Sequence, residues 1–114
     1  MALIKACHRH ARISATKVRP FADLVRGKTA AEGLAVLQFL PNRGARVLEK
    51  VLRSAMANAE DRGARNVDSL KVVEARVDGG PMIKRIQPRA RGMAFTIRRR
   101  MSHVHIGVDA PEVG

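Results

Sequence analysis

At 114 residues the chain has room for one modest domain, and 46% apolar content with 3% aromatic residues calls for a core of Val, Leu, Ile, Met and Ala. A formal net charge of +12 exceeds what solubility needs and points to an anionic partner, nucleic acid ahead of an acidic membrane surface. The single cysteine, Cys7, excludes an intramolecular disulfide, and no run approaches the ~18 apolar residues of a membrane span, so a soluble, cytoplasmic chain is expected.

Ala2 to Ile13 mixes apolar and basic residues without Gly or Pro and reads as a basic edge strand in preference to a transit segment. Ser14 is a candidate N-cap for a first helix carrying Val18, Phe21, Ala22 and Val25 at helical spacing. Pro20 predicts that this helix is short or distorted, and Gly27 ends it. Thr29-Ala30-Ala31-Glu32 has the form of a capping box, and Leu34, Leu37 and Leu40 continue a second helix up to Pro41. A third helix starts at Asn42 or Gly44. Its Val47, Leu48, Val51, Leu52, Ala55, Met56 and Ala59 make one broad apolar face before Gly63 stops it.

Leu70 to Asp78 reads as a strand of ambiguous phase, since Leu70 and Val72 fall on one face while Val73, Ala75 and Val77 fall on the other. A bulge or burial on both faces accounts for this. From His103 to Val108, the alternation of Val104, Ile106 and Val108 with His103, His105 and Gly107 is strand patterning, and Asp109 to Gly114 should fray. Between them, residues 79–108 hold no acid, but they hold Lys84, Arg85, Arg89, Arg91, Arg98, Arg99 and Arg100. Gly79-Gly80-Pro81 opens the stretch and Pro88-Arg89-Ala90-Arg91-Gly92 sits near its middle, which suggests two extended arms joined by a turn. The fold class is therefore α+β, with three helices packed on a small antiparallel three-stranded sheet and a long projecting basic β-hairpin at about residues 79–103. Arms of roughly 12 residues at ~3.3 Å each reach about 40 Å, against a radius of gyration of roughly 13 Å for a globule of this size.

Residues 1–28 carry seven bases against Asp23 alone, whereas residues 29–78 set eight bases against seven acids. The middle reads as scaffold and the flanks as binding surface. Arg presents a planar fork suited to phosphate oxygens, and successive Arg on a strand point to opposite sides, as suits an arm surrounded by RNA. Met82, Ile83, Ile86, Met93, Phe95 and Ile97 interleave with the bases, either to wedge against nucleobases or to pair across the hairpin.

Cys7, His8, His10, His103 and His105 invite a metal reading if the two terminal strands pair, but His-x-His alone is weak, and no metal or other cofactor is expected. Enzymatic constellations are missing as well. Glu60 and Asp61 diverge on a helix, and Gly79-Gly80 leads into Pro81 and no phosphate loop. A regulator binding DNA through a helix-turn-helix explains the charge but gives the acid-free arm no purpose.

Gly80-Pro81, Lys84-Arg85-Ile86, Pro88-Arg89-Ala90-Arg91-Gly92-x-Ala94 and Ser102-His103-Val104 resemble the signature of large-subunit ribosomal protein twenty-two of bacterial type. Ala11-Arg12-Ile13-Ser14, Lys17-Val18-Arg19, Asp23 to Lys28 and Ser54 to Glu60 match the same family in order, over residues 5 to 109. The resemblance implies one domain over residues 1–114 that binds large-subunit rRNA, helps organise it during assembly, and extends a hairpin lining the peptide exit tunnel. Carried over, the rRNA-binding residues are Arg9, Arg12, Lys17, Arg19, Arg26, Lys28, Lys84, Arg85, Arg89, Arg91, Arg98, Arg99, Arg100 and His103. Pro88, Arg89, Ala90, Arg91, Gly92 and Met93 make the tunnel-lining tip, with Met93 standing where the family usually has a base. The implied partners are that rRNA, neighbouring large-subunit proteins and, transiently, the nascent peptide, with no membrane and no homo-oligomer.

Overall fold

The computed structural model describes residues 3–88 and 90–110, with the side chains at 83, 85 and 94–99 outside that description. Strand β1 (Leu3–Ala11) is followed by helices α1 (Ala15–Val25), α2 (Ala30–Phe39) and α3 (Arg43–Asp61), then by strands β2 (Lys71–Pro88) and β3 (Ala94–Asp109). A short 3-10 turn at Val67–Ser69 precedes β2, and a tight turn containing Ala90–Gly92 joins β2 to β3. The sheet is antiparallel in the order β1-β3-β2, so β3 is the central strand. This is the α+β arrangement expected from the sequence.

Period-2 patterning sets the sheet's inner face. Ile4 and Ala6, Val104, Ile106 and Val108, and Val72, Ala75 and Val77 are all buried under the helices. Val18, Ala22 and Val25 of α1 and Leu48, Leu52 and Ala55 of α3 close over them, while α2 packs chiefly on α3. Burying an aliphatic side chain of this kind contributes about 1.5–3 kcal/mol.

The ambiguous phase of β2 is a bulge. Pairing passes from Val72↔Val108 to Glu74↔Gly107, so Val73 is left over and turns outward while Val72, Ala75 and Val77 all face the core. Thr29 Oγ1 accepts the Glu32 amide at 3.3 Å, as the capping box requires. Ser14 occupies the N-cap position of α1 but makes no side-chain cap bond, and its Oγ lies 3.3 Å from Thr16 Oγ1 instead. Pro20 sits inside an uninterrupted 11-residue α1. The carbonyl that loses its donor belongs to Thr16, an exposed residue within reach of water.

Gly44 marks a close crossing of α1 and α3. A Cβ there would lie 2.7 Å from Lys17 O and 3.0 Å from the Phe21 ring. The expectation of a frayed end from Asp109 is corrected: Asp109 pairs with both Leu3 and Lys71, and Ala110 is buried. A central strand is hydrogen-bonded on two sides, which holds its end. Residues 111–114 lie outside the described residues.

From Lys71↔Asp109 the β2–β3 ladder runs to Pro88↔Ala94, so the body's strands and the arm are one continuous hairpin. Principal extents of 64 × 27 × 18 Å and a radius of gyration of 17.2 Å, against roughly 13 Å for a globule of this length, follow from its projection.

Candidate nucleic-acid interface

The arm leaves the body at a second irregularity. Pairing steps from Gly79↔Ser102 to Met82↔Arg100, which leaves one extra residue on β2 at Gly80-Pro81. Proline lacks a ladder donor and is tolerated at such a bulge. Gly80 runs close to β3, and a Cβ there would meet Met101 C and O at 3.1 Å.

Beyond the bulge the register is Met82↔Arg100, Ile83↔Arg99, Lys84↔Arg98, Arg85↔Ile97, Ile86↔Thr96 and Gln87↔Phe95. None of these pairs sets apolar opposite apolar, which argues against directly opposed hydrophobic pairs as the reason for the interleaved Met, Ile and Phe. Lys84 and Arg98 are backbone partners in this register. Ile86 is 76% and Met93 57% exposed, apolar surface that a solvated arm gains nothing by presenting.

At the tip, Arg91 has φ 66° and ψ 30°, and Gly92 follows at φ 69°. Two consecutive left-handed residues close the turn with the twist a hairpin needs. Pro88, Ala90, Arg91, Gly92 and Met93 are exposed there. Arg89, placed at the tip by sequence, lies outside the described residues, as do the side chains of Arg85, Arg98 and Arg99.

The structure brings the two basic ends of the sequence together at the base of the arm. Ser14, Ala15, Thr16 and Arg19 from the start of α1 meet Gly79, Gly80, Met82, Arg100 and Met101 around a groove of about 240 Å³. Lys84, Arg91 and Arg100 on the arm, and Arg9, Arg12 and Lys17 on the N-terminal flank, are exposed and have no intramolecular partner among the described residues. Their charges are available to an external anion.

Arg19 and Arg26 also make contacts within the fold. They are seven residues apart on one side of α1, and Arg19 Nε donates to Val77 O at 3.1 Å while Arg26 Nη2 donates to Ala75 O. Those carbonyls lie on the free edge of β2, so the two guanidiniums cover a strand edge that would otherwise be open. Asp23 holds Arg26 in place through a 2.9 Å contact. Backbone bonds from Gly27 N to Val72 O and from Val72 N to Lys28 O, each 2.8 Å, extend the cover. Lys28 is half-buried beside them.

The histidines divide between the two faces of the sheet. His8 pairs opposite Val104, whereas Cys7 pairs opposite His105, with Cys7 Sγ 4.0 Å from His105 Nε2. A register shift between His8 and Ala11 brings His10, at φ 58°, against His103: the His10 amide donates to His103 Nδ1 at 3.1 Å and the rings meet edge-on at 5.0 Å. The four imidazoles therefore do not converge, and among the described residues no group of three His, Cys, Asp or Glu side chains is placed to hold a metal ion. The outer sheet face neutralises itself. Arg76 meets Glu74 at 3.6 Å and Asp78 at 3.1 Å, Lys5 meets Glu74 at 3.7 Å, and His105 Nε2 lies 3.5 Å from Asp78.

One basic cluster escaped the sequence reading because it lies in the near-neutral middle. His8 of β1 and Arg43, Arg46, Val47, Glu49, Lys50 and Arg53 of α3 line a second groove, of about 390 Å³. Spacing of 4, 3 and 3 along Arg43, Val47, Lys50 and Arg53 is the signal that could have found it.

Comparison with known proteins places this geometry in context. A family described as Ribosomal protein L22p/L17e matches residues 6–109. The chain is 53% identical over 113 residues, covering 95% of each chain, to "Large ribosomal subunit protein uL22" of Rhodopirellula baltica. It is also 53% identical over 98 residues, 86% of this chain and 80% of the relative, to the protein of the same name from Caldicellulosiruptor saccharolyticus.

Proposed function

Since this chain belongs to the ribosomal protein L22p/L17e family, we propose that it binds large-subunit rRNA through its arm and the groove at the arm's base, and that the arm tip lines the peptide exit tunnel. As a structural protein of the large ribosomal subunit it is not an enzyme, and it works within the cytoplasmic ribosome. Residues 1–114 act as one unit in this reading, with residues 79–103 as the part that reaches into RNA. Lys84, Arg85, Arg89, Arg91 and Arg98 to Arg100 meet phosphates along the arm, and Arg9, Arg12, Lys17 and Lys28 meet them at the body, with His103 beside them. Arg19 and Arg26 act chiefly through the β2 edge they hold. By bridging RNA segments at its two ends the arm helps to order them during assembly. Neighbouring large-subunit proteins and, transiently, the nascent peptide at Arg91, Gly92 and Met93 are the remaining partners, and no second copy of the chain is required.

The exposed Lys84, Arg91 and Arg100, without an intramolecular partner among the described residues and in a stretch that holds no acid, carry this reading. Positive charge of this density attracts a polyanion. The test is the salt dependence of binding to large-subunit rRNA by the parent and by a Lys84→Ala/Arg91→Ala/Arg100→Ala variant. Each lost phosphate contact lowers the log–log slope by roughly 0.7–0.9, so a fall of about 2–3 is expected. An unchanged slope and affinity would refute it. A photo-crosslinking residue at Met93 in translating ribosomes addresses the tunnel directly, since adducts to the nascent chain are expected and their absence removes the tip from the tunnel wall.

A further inference from the structure

The acids of the body are sorted in space. Glu74 and Asp78 are spent on the outer sheet face and Asp23 on Arg26. In the groove between α3 and β1, four bases face one acid, Glu49, which is 15% exposed at its side chain and contacts both Arg46 and Arg53. Glu49 thus fixes two guanidiniums at the groove wall, and the site keeps a surplus of three charges with His8 counted neutral. Arg43 and Lys50 are exposed and have no intramolecular partner among the described residues. Seven residues at ~1.5 Å rise set them about 10 Å apart along one side of the helix.

A second feature borders this wall. Arg46 donates through Nη2 to Leu37 O and Leu40 O, so its guanidinium covers the last carbonyls of α2. Phe39 lies between those two residues in the chain and is 89% exposed, the most exposed large apolar side chain among the described residues. A lone surface Phe needs no explanation. Here the ring stands on a helix end that the groove's own arginine pins, and an exposed aromatic on a segment tied to a cationic groove has the composition of a site for unpaired nucleic acid, where bases stack on aromatic rings and phosphates lie on Arg or Lys.

We propose that the α3–β1 groove is a second RNA site, separate from the arm, that takes an unpaired nucleotide segment with its phosphates on Arg43 and Lys50 and a base stacked on Phe39. It rests on the rRNA-binding reading only for the identity of the polyanion. The groove's charge complements RNA, and its small concave volume matches a nucleotide step better than the convex face of a duplex.

The full-length protein is titrated with a 12-nucleotide oligouridine and with a 12-base-pair RNA duplex across a salt series. Phe39→Ala should weaken oligouridine binding about tenfold and change duplex binding less than twofold. Arg43→Ala/Lys50→Ala should lower the oligouridine salt slope by about 1.4, while Arg43→Lys/Lys50→Arg keeps it. All the changed side chains are exposed, and matching thermal melts exclude a folding defect as the cause. The Lys84→Ala/Arg91→Ala/Arg100→Ala variant separates the two sites: if it loses RNA binding while the groove variants behave as the parent, the arm reading stands and this one falls. If Phe39→Ala leaves oligouridine binding unchanged, or weakens single strand and duplex alike, the proposed stacking is wrong. Groove variants that bind RNA normally but enter large subunits with a neighbouring protein missing would make this face a protein contact and overturn the proposal.

Discussion

Replacing Gly44 with alanine tests how α1 is held against α3. Alanine is the better helix former, by at most about 1 kcal/mol at this position near the helix start. The added methyl would sit 2.7 Å from Lys17 O and 3.0–3.1 Å from two carbons of the Phe21 ring. Lys17 O is backbone of a helix that also covers the β2 edge, so it cannot swing aside as a side-chain end would. Relief requires α1 and α3 to part by several tenths of an ångström, and overpacking of this kind costs about 1–3 kcal/mol. The net expectation is a loss of about 1–2 kcal/mol. With ~2.1 cal/mol/K of unfolding entropy per residue over a chain of this length, that lowers the melting temperature by about 4–8 °C in a circular-dichroism melt. Gly33→Ala is the matched control, because its methyl meets the flexible end of Leu52 at 3.3 Å. It should shift stability by less than about 0.5 kcal/mol in either direction. If Gly44→Ala matches or exceeds the parent in melting temperature, the tight crossing is not a constraint and the reasoning fails.

Arg46→Ala should destabilise by about 1–3 kcal/mol in urea unfolding, because the α2 carbonyls Leu37 O and Leu40 O and the largely buried Glu49 each lose a charged donor. Arg46→Lys should recover less than half of that, since one ammonium cannot span the three acceptors. Ser102→Ala should be neutral or stabilising by up to about 1 kcal/mol, because the Ser102 hydroxyl is buried without a partner among the described residues. A loss above 1 kcal/mol on calorimetry would reveal a hydrogen bond that this structure does not contain.

The helices were legible because their signals are local. Thr29 with Glu32, the period of Val47 to Ala59, and the stops at Gly27 and Gly63 act within a few residues, and both glycines take positive φ. Even the doubtful phase of β2 carried its own answer, a single-residue bulge at Val73. The arm was legible for the opposite reason, an absence of acids over a long run. What the sequence hid depends on contacts between distant segments. That Arg19 and Arg26 donate to Val77 O and Ala75 O depends on where the fold sets β2 beside α1, which no local pattern records. The α3 groove was masked by averaging, because eight bases and seven acids cancel along residues 29–78 while the fold moves Glu74 and Asp78 to the other side of the sheet. Ser14 holds the N-cap position that its residue type favours, but its hydroxyl pairs with Thr16 Oγ1 and makes no cap bond, a choice the residue type does not record.

The position of β3 also imposes a timetable on synthesis. Strand β1 pairs only with β3, through contacts such as Ile4↔Val108 that span about 100 residues, so it has no partner until residues beyond 102 have left the ribosome that makes them. The three helices can gather earlier, since their contacts are nearer in sequence. For that interval β1 and the body part of β2 lack the strand that lies between them, beside the acid-free arm. Apolar strand edges beside a dense positive charge are prone to capture by whatever anion or unfolded chain is nearby. Closure of the body sheet thus waits for residues 102–109, which follow in the chain the residues that pair along the arm, and RNA on the arm would cover its charge in the meantime.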